Sequence, residues 1–190
     1  MTCYPPPRRR LCPLAATPSS DHDFLIVLDR VETDRPRVVE ATWHAHPNAT
    51  GVAVGGGPGL VGVVGGVDTF SGQPSNAQAC VIPLGGGSAS AWGTAGVVRG
   101  IARNDTQGVA WQGWYSQAYD DAWAAPVLVY RASGVGSGAL FGWLIVPQSG
   151  RGACGDSGEV VSSTGSQAVV RVSVAGTAHE VTVPLGPGAQ

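Results

Sequence analysis

An antiparallel β-sandwich is the fold this chain predicts, on three observations. The 29 glycines and 14 prolines of its 190 residues interrupt every apolar run before it reaches helical length. The runs that survive are short and rich in β-branched and aromatic residues. Several of them alternate apolar and polar side chains at period two, as strands with one wet face do. The class is therefore all-β, with roughly eight to twelve strands in a single domain at residues 21–190 and a flexible Pro/Arg-rich arm at residues 1–20. A chain of this length buries roughly 70% of its unfolded surface, enough for a core that needs no metal.

In the arm, three successive prolines and the triplet Arg8 to Arg10 are unsuited to the interior of a sheet or helix. Arg8 to Arg10 precede Leu11 to Ala16 as in a secretory leader, but Pro13 splits an apolar stretch already short for one, so no cleavable signal is expected. The start instead reads as one with upstream sequence missing. Asp23 to Arg30 is a continuous apolar run bounded by charge, the mark of a strand buried on both faces and central in its sheet. Val38 to His46 alternates, with Val39, Ala41, Trp43 and Ala45 on one face and Glu40, Thr42, His44 and His46 on the other. Gly51 to Gly66 reads as strand plus turn, and Ala79 to Leu84 and Val97 to Ala102 as further short strands.

The stretch Trp111 to Pro147 holds four of the six tryptophans and three of the four tyrosines. Val127 to Tyr130 and Leu140 to Val146 read as two strands joined by a hairpin-like turn at Gly134, Gly136 and Gly138. If Trp111 to Tyr119 is extended, Trp111, Tyr115 and Tyr119 share one face and Trp114 takes the other. Such rings either fill a core, at roughly 1.5–3 kcal/mol or more each, or form a platform on which sugars stack. Ala168 to Leu185 is a hairpin turning at Ala175-Gly176-Thr177, with Pro184 suited to a sheet edge and His179 to the surface.

Composition excludes some functions. The net charge is −2, and Arg8 to Arg10 is the sole basic cluster, which leaves out the broad positive footprint of a nucleic-acid binder. No run approaches the 18 or so apolar residues of a membrane span. Gly51 to Gly66 lacks the lysine and following helix of a phosphate loop. Cys3, Cys12, Cys80 and Cys154 have no metal-ligand spacing and allow three disulfide pairings, none of which the sequence selects. Asn48 and Asn104 open glycosylation sequons that matter only if the chain is secreted. No cofactor is implied.

Two constellations bear on chemistry. His44 and His46, two apart on a strand, could share a metal, oppose a substrate carboxylate or pass a proton; at a strand end before Pro47 they could equally be solvated residues, and no third metal ligand is identifiable. Gly155-Asp156-Ser157-Gly158 matches the nucleophile segment of trypsin-like serine proteases. Against that reading, no TAAHC-like segment surrounds either histidine, Glu159 stands where a second glycine is usual, and only 190 − 157 = 33 residues follow Ser157.

The segments GWYS (113–116), APVLVY (125–130) and WLIVP (143–147), with DFLIVLDR (23–30) and TWHAHP (42–47) before them in the same order, resemble the C-terminal β-sandwich of heparinase II/III-like polysaccharide lyases across most of residues 21–185. The resemblance implies a supersandwich-like fold and a module of an enzyme that cleaves uronic-acid polysaccharides by β-elimination. It also implies that this module is not catalytic alone, because the family's principal catalytic residues sit largely on a helical toroid, here expected to be separate or missing. The implied partner is an acidic polysaccharide or oligosaccharide, in an extracellular or secretory setting. Glu40, His44, His46, Tyr115 and Tyr119 are the candidate substrate-binding residues. The family's histidine-bearing HxHxD-type stretch normally precedes the DFLIVLDR-like strand, so its role does not transfer to His44 or His46, and no catalytic residue is assigned. A free-standing carbohydrate-binding or structural sandwich is the alternative from another class.

Overall fold

The computed structural model describes residues 10–11, 15–16, 23–53, 59–62, 66–67, 74–75, 77–87, 89–105, 108–116, 118–149 and 154–185. Among them there is no helix, and every pair of neighbouring strands within a sheet runs antiparallel. The organising element is a seven-stranded sheet. Its interior strands, in spatial order, are Leu25–Val31, Ala139–Ser149, Ala77–Leu84 and Gly59–Gly62, with Thr50–Ala53 at one edge. At the other edge Arg10–Leu11 and Ala15–Ala16 both pair with Leu25–Val31. An edge needs only one side of a strand to be paired, so flanking prolines do not forbid it. The remainder of residues 1–20 lies outside the described residues.

This sheet is covered on both faces by smaller sheets, giving three layers. Side chains alternate along a strand, so even-numbered Ile26, Leu28, Cys80, Ile82, Leu84, Leu140, Leu144 and Val146 share one core with Val160, Ala168, Val170, Val172, Val174 and Val183. The facing layer is the sheet Ser157–Ser163, Gln167–Val174 and Thr177–Pro184. Odd-numbered Val81, Phe141 and Trp143, with Val27 and Val31 beside them, face the second core, where Leu128, Tyr130, Ala132, Trp43 and Trp92 meet them. That layer is the sheet Thr94–Arg99, Pro126–Val135 and Arg37–His44. Asp23 to Arg30 does therefore serve a sheet packed on both faces. Gly142 and Gly158 mark close packing in the first core: a Cβ at Gly142 would lie 2.8 Å from Leu84 Cδ1 and 2.9 Å from Leu28 Cδ2, and one at Gly158 2.5 Å from Leu84 Cδ2.

The layering corrects the expected hairpin. Pro126–Val135 and Ala139–Ser149 are consecutive yet do not pair; the first lies between Thr94–Arg99 and Arg37–His44, the second between Leu25–Val31 and Ala77–Leu84. The chain at Gly136–Gly138 steps from one layer to the next, so the two strands pack side chains across layers, Tyr130 against Trp143, instead of pairing by backbone hydrogen bonds. Nineteen strands among the described residues also exceed the eight to twelve expected, because six are two-residue pieces and some readings break into two. The hairpin of Gln167–Val174 and Thr177–Pro184 is as read, turning through Ala175 and Gly176, both at positive φ, with Thr177–Pro184 at the edge.

Cys80 and Cys154 form a disulfide across 74 residues. Cys80 is fully buried in the first core and Cys154 packs against it, so the bond ties the central sheet to the chain just before Ser157–Ser163.

Candidate functional site

The candidate site lies where one end of the Arg37–His44 sheet meets a small projecting hairpin. That hairpin exists because Gly113 breaks the strand expected over Trp111 to Tyr119. At φ +76° its backbone turns, and a Cβ there would stand 2.6 Å from the Gly100 nitrogen and 2.7 Å from Arg99 Cα. Gly108–Gln112 pairs with Ile101–Asp105 on one side of the break, and Trp114–Tyr115 pairs with Trp123–Ala124 on the other. Val97 to Ala102, read as one strand, likewise divides at Gly100. Trp111 and Tyr115 are therefore not neighbours on a continuous strand face.

Three hydrogen bonds fix the hairpin to the rest of the domain. The Gly113 carbonyl accepts from the N–H of Gly100 at 2.8 Å and of Ala125 at 2.7 Å, and Trp114 Nε1 donates to the Ile101 carbonyl at 3.0 Å. In the tip, Ser116 Oγ donates to the Ala118 carbonyl at 2.9 Å, and Asp120 takes φ 60°. Tyr119 projects from this tip, 94% exposed. Tyr115 and Trp123 are cross-strand partners, Tyr115 half-buried and Trp123 48% exposed.

Arg37–His44 follows the expected alternation: Val39, Ala41 and Trp43 turn to the core, and Glu40, Thr42 and His44 are exposed. The regular strand ends at His44, so the expected shared face does not continue to His46. His46 opens a turn in which its carbonyl accepts from the Ala49 N–H at 2.8 Å and its Nδ1 accepts from the Asn48 N–H at 3.3 Å. A neutral ring in that state carries its proton on Nε2. The imidazole lies 5.7 Å, centre to centre, from the Tyr115 ring. Arg99 clamps the same turn, donating to the carbonyls of Pro47 at 2.6 Å and Ala49 at 3.2 Å.

The structure thus brings His46 and Tyr115 into contact and leaves the other candidates more widely placed. Glu40 is engaged with Arg131, whose Nε donates to Oε1 at 2.8 Å, and at four residues along the strand it sits about 13 Å from His44. Among the described residues no three His, Cys, Asp or Glu side chains are grouped as a metal site requires. Two residues of the site escaped the sequence reading. Trp123 looked like any other ring of an aromatic run, and Arg99 carried no motif; only the close approach of Gly100 to Gly113 puts it at the hairpin's base.

The Gly155–Gly158 tetrapeptide has a structural task. Asp156 Oδ1 accepts from the Ala175 N–H at 2.9 Å, holding the adjacent hairpin turn, and Ser157 begins an outer strand opposite Ser173. His44 ends a strand of the layer on the opposite face of the central sheet and His46 lies in the turn just beyond it, so about two sheet spacings, roughly 20 Å, separate them from Ser157. No proton can pass from Ser157 to either histidine over that distance.

All-β sandwich architecture with an additional layer is the class this fold defines. Among solved structures, the chain is similar to the crystal structure of heparan sulfate lyase HepC from Pedobacter heparinus, with TM-score 0.64 and 12% identity over 96% of this chain and 29% of that one. A mutant of the same enzyme matches with TM-score 0.60 and 13% identity over 93% of this chain and 28% of that one. The chain thus spans less than a third of that lyase's length, and the likeness is one of polysaccharide-lyase-like fold. No family model and no curated protein matches.

Proposed function

We propose that this chain is the C-terminal β-sandwich module of a heparinase II/III-like polysaccharide lyase, one that holds an acidic polysaccharide and does not carry out β-elimination by itself. The observation that carries the reading is the alignment of nearly the whole chain with a minor part of a heparan sulfate lyase, together with the ordered likeness of its aromatic segments to that family. β-Elimination at a uronate requires a group to neutralise the carboxylate, a base for the adjacent proton and an acid for the leaving oxygen, all held within hydrogen-bond reach in a closed cleft. At the hairpin site Tyr119 and Trp123 stand exposed. The remaining parts would come from a helical toroid. A disulfide buried at Cys80 favours an extracellular or secretory compartment, where such bonds persist.

The test mixes the purified chain with heparan sulfate, alginate and other uronans and follows the ultraviolet absorbance of the unsaturated product. Binding without turnover is expected. Sustained turnover that disappears in Tyr115→Phe or Tyr119→Phe would make the chain a minimal lyase and overturn the proposal, as would a failure to retain any uronan.

A further inference from the structure

We propose that Trp123 and Arg99 complete a subsite with Tyr115 and His46, across which an acidic oligosaccharide lies with one sugar ring stacked on the Trp123 indole and a carboxylate or sulfate of the same oligosaccharide held by Arg99 and His46. The proposal deepens the polysaccharide reading and rests on it.

The exposure of Trp123 is the first argument. Trp143 is 0% and Trp92 9% exposed, both in the second core, whereas Trp123 is 48% exposed although its backbone is held in strand pairing. Of the large apolar side chains that stand exposed among the described residues, the only aromatic ones are Tyr119 and Trp123, and both belong to this hairpin. An indole fixed by its backbone loses little freedom when a ligand covers it, and the apolar face of a pyranose is a matching occupant.

Charge is the second, independent argument. Arg37, Arg131 and Arg171 are each paired with carboxylates, those of Asp34, Glu40, and Glu159 with Glu180. Arg99 is exposed and bonded to two main-chain carbonyls, and among the described residues no carboxylate neutralises it. Arg30 is bonded in the same manner, to the Thr164 and Gly165 carbonyls, far from either exposed ring, at a turn between two strands of the opposite outer layer. Two carbonyls occupy part of a five-donor fork, which leaves N–H groups for an anion. The contacts then run in an unbroken line: Arg99 to the 47–49 turn, that turn to His46, His46 to Tyr115, and Tyr115 across the strand pair to Trp123. The carboxylates of Asp120 and Asp121 lie at the hairpin tip, so an anionic sugar is steered away from Tyr119 and toward Arg99.

The experiment titrates the full chain with a sized heparan sulfate or alginate oligosaccharide and with a neutral oligosaccharide of equal length, reading both calorimetry and tryptophan emission. The acidic oligosaccharide should bind, with a change in emission that Trp123→Phe removes while retaining affinity within about threefold. Trp123→Ala should weaken binding about tenfold, and Arg99→Gln should weaken it and flatten its salt dependence, with thermal unfolding confirming that each variant is folded. Tyr119→Ala should change affinity less than Trp123→Ala. If the parent chain binds the acidic oligosaccharide and Trp123→Ala binds equally well, the subsite is wrong and the module reading survives. If the parent chain binds no acidic oligosaccharide, both fall.

Discussion

The rings of Trp143 and Tyr130 meet edge to face, centres 4.7 Å apart at 70°, although the two residues belong to different sheets. Both are fully buried, and Trp92 joins them with centres 5.1 Å from Trp143 and 6.1 Å from Tyr130. The cluster is the contact that seats the outer sheet on the central one. Replacing Trp143 by Ala removes the most completely buried tryptophan of this core and is expected to destabilise the domain by about 3–5 kcal/mol, measured by chemical denaturation. A change under about 1 kcal/mol would show that the layers are held elsewhere.

Tyr130 supplies a pH signature for the same interface. Its hydroxyl donates to the Val81 carbonyl at 3.3 Å, and burial raises its pKa from 10.0 to about 12. The folded state then holds this proton more firmly than the unfolded chain does, so the contribution is complete below pH 10 and declines as pH rises from 10 toward 12. Stability should fall over that window, and Tyr130→Phe should lessen the fall. An unchanged alkaline limb in the variant would rule out Tyr130 as its source.

Much of this arrangement can be read from the residues. The alternation in Arg37–His44 and Gln167–Val174 told which side faces a core, because period-two burial is a local property of one strand. Which strand lies next to which is not local. Gly134, Gly136 and Gly138 suit a hairpin and a step between layers equally well; what decides is that Phe141 and Trp143 need a facing layer of rings, which Trp43 and Trp92, distant in sequence, supply together with Tyr130. The site was half legible for the same reason. His46 and Tyr115 were picked out by residue type, while Trp123 and Arg99 depend on a backbone turn at Gly113 that its neighbours do not announce.

The Cys80–Cys154 disulfide closes a loop of 74 residues, which corresponds to about 4 kcal/mol of unfolded-state entropy. Reduction, or the double substitution Cys80→Ala/Cys154→Ala, is expected to lower the unfolding free energy by about that amount, and peptide mapping of the unreduced protein should recover the two cysteines linked. A cross-link to any other cysteine would contradict the arrangement.

Ser157 should be chemically inert. Its hydroxyl is exposed at the start of an outer strand, and the neighbouring Asp156 is committed to the Ala175 amide. Incubation with a fluorophosphonate probe should leave it unlabelled, and stoichiometric modification would revive the protease reading. Asp156→Ala, by contrast, should cost about 1–3 kcal/mol through the lost carboxylate–amide bond.

The hairpin that carries the candidate site depends on one residue without a side chain. Substituting Gly113 by Ala places a methyl group against the backbone of Arg99 and Gly100 in a region of φ that L side chains disfavour. Neither main-chain neighbour can rotate away as a side chain could, so the strain is expected to be relieved by moving the hairpin, at about 1–3 kcal/mol. The bonds from Gly100 and Ala125 to the Gly113 carbonyl would loosen, and Tyr115 and Trp123 would no longer be held against the turn that Arg99 clamps. The buried clusters take no side chain from the hairpin itself, and the strand that Arg99 ends meets the second core only through Ala95 among the residues of either cluster. Amide hydrogen exchange should therefore quicken over 99–101 and 113–125 in Gly113→Ala, while protection of Ala139–Ser149 and Gln167–Val174 falls by no more than the global loss of stability. Uniform loss of protection in all these strands would mean that the hairpin and the core unfold as a single unit.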